Sequence, residues 1–143
     1  MAFLIDTNVL SEVASADADP HVRSWLGSLP STQAFLSVLT LGEIARGIAM
    51  LPPGSRKDRL RSWLEEDLPR RFQGRTLDVD RSVAEAWGAL DAEGRRIGRP
   101  LPVVDGLLLA TARTHGLVLA TRNVRDCGDR GVLVVNPWSP EGA

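Results

Sequence analysis

The sequence lacks several features that would direct it to particular classes of protein. Its 143 residues contain one cysteine and no tyrosine. Because Cys127 is alone, an internal disulfide and a zinc site built from cysteine thiolates are both excluded, which favours a reduced, cytoplasmic setting. No apolar run approaches the roughly 18 residues that span a bilayer. Asp6 cuts off the apolar start of the chain, so neither a secretory signal nor a membrane partner is expected.

An excess of charge of one sign is also missing. The 17 basic and 18 acidic residues leave a formal net charge of −1, so the total does not announce a nucleic-acid-binding protein. All basic residues except Lys57 are arginines, whose planar guanidinium suits phosphate. The length and the ordinary share of apolar and charged residues predict one globular domain over residues 1–143.

Short continuous apolar runs alternate with segments of helical periodicity. The strand candidates occupy residues 3–5, 34–38, 76–79, 117–120 and 132–135, and the first and the last two of them are apolar throughout. Runs of this length are typical of buried strands, and the capping residues Asp19 and Asp80 and the stop at Gly116 mark helices between them. Strands that alternate with helices predict an α/β three-layer sandwich, with a central, mostly parallel sheet flanked by helices.

Several details of the helices follow from spacing. Thr40 and Glu43 have the form of a capping box, which predicts that a helix begins at Thr40. A helix that opens near Ser55 has an apolar stripe, and the helix capped by Asp80 has one that extends to Ile97. The four tryptophans stand mostly at core-type positions, which indicates core packing or a subunit interface.

Acidic residues from four elements fall where a ligand of such a sheet would bind, beyond the carboxyl ends of its strands. Asp6 follows the first strand, and Asp126 follows the strand at residues 117–120. Asp105 interrupts an apolar run, and Glu43 lies off the apolar stripe at the start of its helix. We expect these four carboxylates to meet at one edge of the sheet.

Each acid also has a purely structural explanation. Asp6 can cap the segment after it, and Glu43 can close the capping box or pair with Arg46. A helix N-terminus favours Asp105 through the helix dipole, and Asp126 can be a turn residue. The four acids together are more informative than each alone, because they follow the order of one known pattern.

That pattern is the PIN domain, a family of metal-dependent nucleases. The chain resembles in particular the toxin ribonucleases of VapBC-type toxin–antitoxin pairs. The matching stretches are residues 4–10, 36–44, 104–106 with the apolar helix after them, 119–123 and 135–138. The resemblance implies a PIN-like fold, Mg²⁺ or Mn²⁺ as cofactor, RNA as substrate, a homodimer, and a small cognate antitoxin that blocks the site.

The resemblance also assigns residues by matching position. Asp6, Glu43 and Asp105 match the three acids on which the family relies. Asn123 and Asp126 are the two candidates for the fourth position, and we place it at Asp126. The chain departs from the family at Gly106, where Ala is commoner, and at Cys127, where an aromatic residue is usual. Both departures are expected to affect packing.

Oxygen ligands without His or Cys suit a hard ion such as Mg²⁺ or Mn²⁺. Mg²⁺ takes one or two carboxylates and keeps several waters, so Asp6 and Asp105 are expected to bind it directly. Glu43 and Asp126 would then hold its waters or a second ion. The expected reaction is in-line attack of a metal-activated water on phosphorus, leaving 5′-phosphate and 3′-hydroxyl ends. The polar residues expected to orient water or metal are Thr7, Thr121 and Asn123.

RNA contact requires cations near these acids. Arg122 follows the strand at residues 117–120 and Arg46 follows Glu43, so both are expected to contact phosphate. Arg95, Arg96 and Arg99 form a cluster before Asp105 that can also contact phosphate. The absence of tyrosine and the scarcity of exposed aromatics give no sign of base stacking.

Other functions remain alternatives. A PIN nuclease that is not a toxin fits the same acids. A receiver-type signalling domain would need a second acid near Asp6 and a lysine late in the chain, and the only lysine is Lys57. An Asp-x-Asp phosphatase would need an acid at Asn8. A PIN domain used only for binding would not need the full set of acids, and neither His21 nor His115 stands where a histidine-based ribonuclease would need it.

Overall fold

The computed structural model describes residues 1–139, which form a five-stranded sheet with helices on both faces. The strands are β1 (Phe3–Ile5), β2 (Ala34–Ser37), β3 (Thr76–Leu77), β4 (Val118–Ala120) and β5 (Val134–Val135). Neighbouring strands run parallel in the order β3-β2-β1-β4-β5. The predicted α/β fold is confirmed, and the sheet is parallel throughout the described strands.

Helices connect the strands, and most of them begin and end where capping residues predict. They are α1 (Thr7–Val13), α2 (Pro20–Ser28), α3 (Val38–Ala49), α4 (Ser55–Ser62), α5 (Leu68–Arg71), α6 (Arg81–Arg96), α7 (Val103–His115) and α8 (Val124–Cys127). Asp19 and Asp80 cap α2 and α6, and Gly116 ends α7 with a φ of 65°. Among residues 1–139, no helix combines the length and the apolar character needed to cross a bilayer.

The apolar core forms two layers, one on each face of the sheet. Ile5 belongs to one layer and Leu4 to the other, because successive residues of a strand point to opposite faces. The layer around Ile5 contains buried side chains of α1, α2, α3 and α5, and the layer around Leu4 contains those of α6 and α7. The result is the three-layer sandwich that the sequence predicts.

The strand order reverses between β1 and β4. From β1 the sheet continues through β2 to β3 on one side, and β4 and β5 lie on the other. Ile5 is paired with Ala120, so the next residues, Asp6 and Thr121, leave the sheet side by side. Open parallel sheets bind their ligands at such a reversal, beyond the carboxyl ends of the strands.

The start of α3 differs from the prediction. The capping box of Thr40 and Glu43 is wrong, because α3 begins at Val38 and the Ser37 hydroxyl accepts the N–H of Leu39 at 3.0 Å. The last residue of β2 therefore caps the helix directly. Glu43 consequently lies beyond the first turn. Its carboxylate is not needed to cap the N-terminus of α3 and is available to the site.

Two further elements depart from their predictions. The helix after Ser55 is interrupted by a π-helical turn, Trp63–Asp67, which comes just before Pro69. Proline has no N–H for an α-helical hydrogen bond, so the backbone widens ahead of it. Ile97, expected on the inward face of α6, lies beyond the helix and is 51% exposed. The short helix α8 carried no periodic signal in the sequence.

Helices α6 and α7 approach each other closely at Gly106, the residue after Asp105. A Cβ built on Gly106 would lie 3.0 Å from both Cδ1 and Nε1 of Trp87. That separation is tighter than an ordinary contact between side chains, so the glycine allows the indole of α6 to rest against the start of α7. The departure from the commoner alanine is thus explained by packing.

The substitution Gly106→Ala is expected to lower the free energy of unfolding by about 1 kcal/mol. Overpacking costs about 1–3 kcal/mol, and the higher helix propensity of alanine returns about 1 kcal/mol. Gly88→Ala is the matched control, because Gly88 lies exposed in α6 with nothing within 4 Å of a built Cβ. It is expected to gain about 1 kcal/mol in urea denaturation. An equal gain for both variants would contradict the tight contact.

Candidate active site

Asp6 is the most enclosed acid of the site. Asp6 is 7% exposed and is the N-cap residue of α1. The N–H of Thr7 donates to Oδ1 at 2.6 Å, and the hydroxyl of Thr121 donates to Oδ2 at 2.7 Å. Asn8 donates to the same Oδ2 at 3.4 Å. The carboxylate is therefore held in one orientation at the reversal of the sheet.

Thr121 orients Asp6 from the end of β4. Besides donating to Asp6, its hydroxyl oxygen accepts the N–H of Asn123 at 3.0 Å and the side-chain amide of Asn8 at 3.4 Å. No site role is predicted from the sequence for Asn8, whose side chain bridges the ends of β1 and β4. Its position two residues after a capping aspartate was the available signal.

Glu43 reaches the site from α3 through Thr7. The hydroxyl of Thr7 donates to Glu43 Oε1 at 2.5 Å and lies 3.3 Å from the hydroxyl of Thr40. Because Thr7 opens α1 directly after Asp6, this hydrogen bond holds the carboxylates of Asp6 and Glu43 on the same side of the sheet. The Thr7 hydroxyl, which the sequence predicts to orient water or metal, donates its hydrogen bond to the carboxylate of Glu43 in this structure.

Asp105 completes a group of acids that repel one another. Burial raises the pKa of Asp6, and the charges of Asp105 and Glu43 raise it further. Burial likewise raises the pKa of Asp105, with additional contributions from Glu43 and Asp126. Asp105 is thus within electrostatic reach of Asp6, Glu43 and Asp126, although Asp126 itself is exposed on α8. We call these four residues the acid cluster.

No basic side chain neutralises the acid cluster within residues 1–139. The ion pairs found there join neighbours on helix surfaces, namely Arg61–Glu65, Arg81–Glu85, Asp91–Arg95 and Glu93–Arg96. Burial raises the pKa of the nearby Cys127 thiol to about 12, and the carboxylates of Asp105 and Asp6 contribute. Cys127 is therefore a neutral core residue, which agrees with its expected packing role.

The donor set of the acid cluster fits a hard divalent cation. Its groups are carboxylates with Thr and Asn oxygens beside them, and Mg²⁺ and Mn²⁺ prefer oxygen ligands. In the described part of the chain, no three acidic, His or Cys side chains lie close enough to enclose one ion by themselves. Asn123 begins α8 without a capping hydrogen bond from its side chain, so it stays a candidate beside Asp126.

The predicted phosphate contacts have different surroundings. Arg122 is exposed beside the acid cluster, and its guanidinium carbon lies 4.9 Å from the centre of the Trp138 ring. Arg46 is exposed on α3. Arg95 and Arg96 pair with acids of their own helix. Arg99 donates to backbone carbonyls at the end of α8, so its guanidinium contributes to the fold.

A groove of about 530 Å³ opens beside Thr7 and Glu43. Its apolar lining includes Ile44 and Trp63, and Arg59 stands among its polar residues. The groove is bounded by α1, α3, α4 and the π-helical turn. It therefore offers apolar surface next to one end of the acid cluster.

The raised pKa of Asp105 predicts a pH-dependent stability in chelator. Its carboxylate destabilises the fold when ionised, and this penalty is lost as pH falls through the raised folded-state pKa. Asp105→Asn is expected to melt above wild type at neutral pH, with no gap at about pH 3, below the ordinary carboxyl range. The control Asp78→Asn removes the same charge from an exposed residue. A Tm gap that does not change with pH would contradict the expectation.

The hydroxyl of Thr121 lowers the pKa of Asp6 against the effect of burial. Thr121→Val keeps the shape and removes this hydrogen bond, so we expect Mn²⁺ affinity to fall about 10- to 100-fold, the usual effect of losing a group that orients a ligand. Thr121→Ser keeps the hydroxyl and is expected to bind like wild type. Calorimetric titration measures both, and a valine variant that binds as tightly as the serine variant would refute the role of the hydroxyl.

Comparison with known proteins agrees with this geometry. The family model described as PIN domain matches residues 3–125. The chain is 35% identical to "Toxin FitB" of Neisseria gonorrhoeae, over 94% of this chain and 97% of that protein. It is 31% identical to "VapC ribonuclease Y4jK" of Sinorhizobium fredii, over 96% and 98%.

A solved structure of FitAB bound to an IR36 DNA fragment has the same fold. It superposes with a TM-score of 0.91 at 33% identity, covering 96% of each chain. The agreement extends over nearly all of the described strands and helices. The chain therefore belongs to the PIN domain family, among relatives named as VapC and FitB toxins.

Proposed function

We propose that this chain is a metal-dependent endoribonuclease that acts as the toxin of a type II toxin–antitoxin pair. The observation that carries the proposal is the acid cluster, in which partly buried carboxylates repel one another and none forms an ion pair within residues 1–139. A divalent cation would relieve that repulsion. Membership of the PIN family and the ribonuclease name of the Sinorhizobium relative support the same reaction.

Asp6 and Asp105 are the proposed direct ligands of Mg²⁺, which Mn²⁺ can replace. Two carboxylates with waters are a coordination that Mg²⁺ favours, so a third protein ligand is not required. When bound, the ion would activate water, orient the phosphate and stabilise the charge that develops on it. The residues of the proposed site extend along the chain from Asp6 to Asp126. All of them belong to the single domain that we propose for residues 1–143.

The side chains of this protein have separate tasks in the proposed reaction. Thr121 fixes the orientation of the Asp6 carboxylate, and Thr7 holds Glu43 toward the same space. Glu43 and Asp126 would accept hydrogen bonds from waters of the ion or would coordinate a second ion directly, with Asn123 as the alternative at the fourth position. Hydrolysis then needs no side-chain nucleophile, and the 3′ oxygen leaves to give 5′-phosphate and 3′-hydroxyl ends.

The proposed partners are RNA, a small cognate antitoxin and a second copy of the chain. The name of the gonococcal relative, Toxin FitB, supports a toxin role. The groove beside Glu43 would let a bound antitoxin cover one end of the acid cluster. Arg46 and Arg122 are the proposed contacts to RNA phosphates.

Expression of the chain in a bacterium tests the toxin role, and sequencing of RNA ends from pure protein tests the reaction. We expect the wild type to arrest growth and to produce 5′-phosphate ends, and Asp105→Asn to do neither. Asp78→Asn is the matched control and should behave as wild type. RNA cleavage without growth arrest would indicate a PIN nuclease that is not a toxin, and no cleavage of structured RNA in Mg²⁺ would reject the nuclease.

A further inference from the structure

Arg122 is stacked on an aromatic ring at the edge of the acid cluster. Its guanidinium carbon lies 4.9 Å from the ring centre of Trp138, within the range of a cation–π interaction. Trp138 is half-buried and packs against the core layer around Ile5. The guanidinium therefore lies over a ring that packs against the core.

The backbone of Arg122 is anchored next to Asp6. Its N–H donates to Asn8 Oδ1 at 3.4 Å, and the residue before it, Thr121, donates to Asp6 Oδ2 at 2.7 Å. Arg122 therefore has two contacts, one from its backbone to Asn8, which itself donates to Asp6, and one from its guanidinium to Trp138.

The guanidinium of Arg122 has no carboxylate partner in the described part of the chain. It belongs to none of the four ion pairs found in residues 1–139, and its side chain is exposed. A guanidinium over an aromatic face can still direct N–H groups to an oxyanion. The one oxyanion that must lie beside the acid cluster of a ribonuclease is the phosphate backbone of its substrate.

We infer that Trp138 is a positioning residue that holds Arg122 as a contact to an RNA phosphate next to the cleaved bond. This inference rests on the proposed function and names how the substrate backbone is held. A long arginine side chain loses conformational freedom when it binds, and the indole removes part of that freedom beforehand. The sequence alone predicts core packing or a subunit interface for Trp138.

RNA binding without cleavage tests this inference. All variants carry Asp6→Asn, and polarisation of a labelled single-stranded RNA is followed over a series of salt concentrations. We expect Arg122→Ala to lower affinity about tenfold, as for loss of a charge-assisted hydrogen bond. The slope of log affinity against log salt should fall by about 0.7, the value for one phosphate contact on a single strand. The control is Arg113→Ala, at the end of α7 opposite to Asp105, and it should change neither the affinity nor the salt slope.

The double variant separates positioning from packing. Trp138→Leu keeps apolar volume and should lower affinity about twofold to fivefold, the strength of an exposed cation–π pair. In the presence of Arg122→Ala it should cause no further loss, because the residue that it positions is gone. Trp138→Phe keeps an aromatic face and should restore most of the affinity.

Two results would overturn the inference. One is an unchanged salt slope in Arg122→Ala, which is an exposed substitution that the fold tolerates. The other is a loss from Trp138→Leu that is the same with and without Arg122. If wild type cleaves RNA while Arg122→Ala binds normally, only this inference fails. If RNA binds through Arg122 and wild type does not cleave it, the proposed function fails.

Discussion

Replacing Asp6 by asparagine is expected to lower the rate of RNA cleavage about a thousandfold, or about 4 kcal/mol of transition-state stabilisation. The carboxylate is 7% exposed and its two oxygens are oriented by Thr7 and Thr121. Asparagine keeps the shape and the acceptor for the N–H of Thr7, but it removes the charge that would bind the cation. The measurement is the initial rate of cleavage of a structured RNA in Mg²⁺.

Asp80→Asn is the matched control for Asp6→Asn. Both aspartates cap a helix, and Asp80 accepts the N–H of Val83 at 3.0 Å at the start of α6. Asparagine is as good a cap as aspartate, so neither substitution should unfold its helix. Full activity in Asp80→Asn and its loss in Asp6→Asn would separate the two roles of Asp6. Equal activity in both would leave Asp6 as a cap only.

Removal of divalent ions is expected to abolish cleavage and to lower Tm. Burial raises the pKa values of Asp6 and Asp105, neighbouring carboxylates raise both further, and neither acid forms an ion pair within residues 1–139. Mn²⁺ at about 100 times its dissociation constant should add about 2.7 kcal/mol to the free energy of unfolding. The measurements are RNA cleavage in chelator, cleavage after Mg²⁺ or Mn²⁺ is added back, and Tm in each condition.

The control for this experiment is the double variant Asp6→Asn/Asp105→Asn, whose Tm should not respond to Mn²⁺. Cleavage that persists in chelator would contradict the metal-dependent reaction. A histidine-based ribonuclease would behave in that way, but His21 lies on the exposed face of α2 and His115 at the distal end of α7. His21 stands on α2, which carries no acid of the cluster, and the length of α7 separates His115 from Asp105.

The sequence predicted the layers and the location of the site because its strands are short, apolar and followed by polar residues. Asp6 and Thr121 each come directly after a strand, and parallel strands bring such residues to one edge. The strand order adds that these two strands are neighbours at the reversal. That fact depends on long-range pairing, which local patterns do not contain.

The start of α3 is the clearest error of the sequence-based prediction. Ser37 and Thr40 are both good caps, and the apparent capping box favoured Thr40. Ser37 is the cap in the structure because β2 continues directly into α3. With this helix start, Glu43 accepts a hydrogen bond from Thr7. A misplaced helix start therefore concealed the hydrogen bond that connects Glu43 to the site.

The surroundings of Arg99 and Trp138 lay beyond prediction for a different reason. Arg99 donates to carbonyls that lie 26 to 29 residues later in the chain. Trp138 contacts Arg122 from beyond β5, with α8 and β5 between them in the chain. An arginine has the same periodicity whether it binds phosphate, a carbonyl or an aromatic ring. Its role depends on which groups the fold places beside it.

Calorimetric titration of Mn²⁺ into the pure protein is the most direct measurement of whether the acid cluster is a metal site. Wild type and Asp80→Asn should bind the ion with equal affinity. Asp6→Asn and Asp105→Asn should each bind about 100-fold more weakly or not measurably, because each loses a proposed ligand. Equal Mn²⁺ affinity in all four proteins would contradict the account.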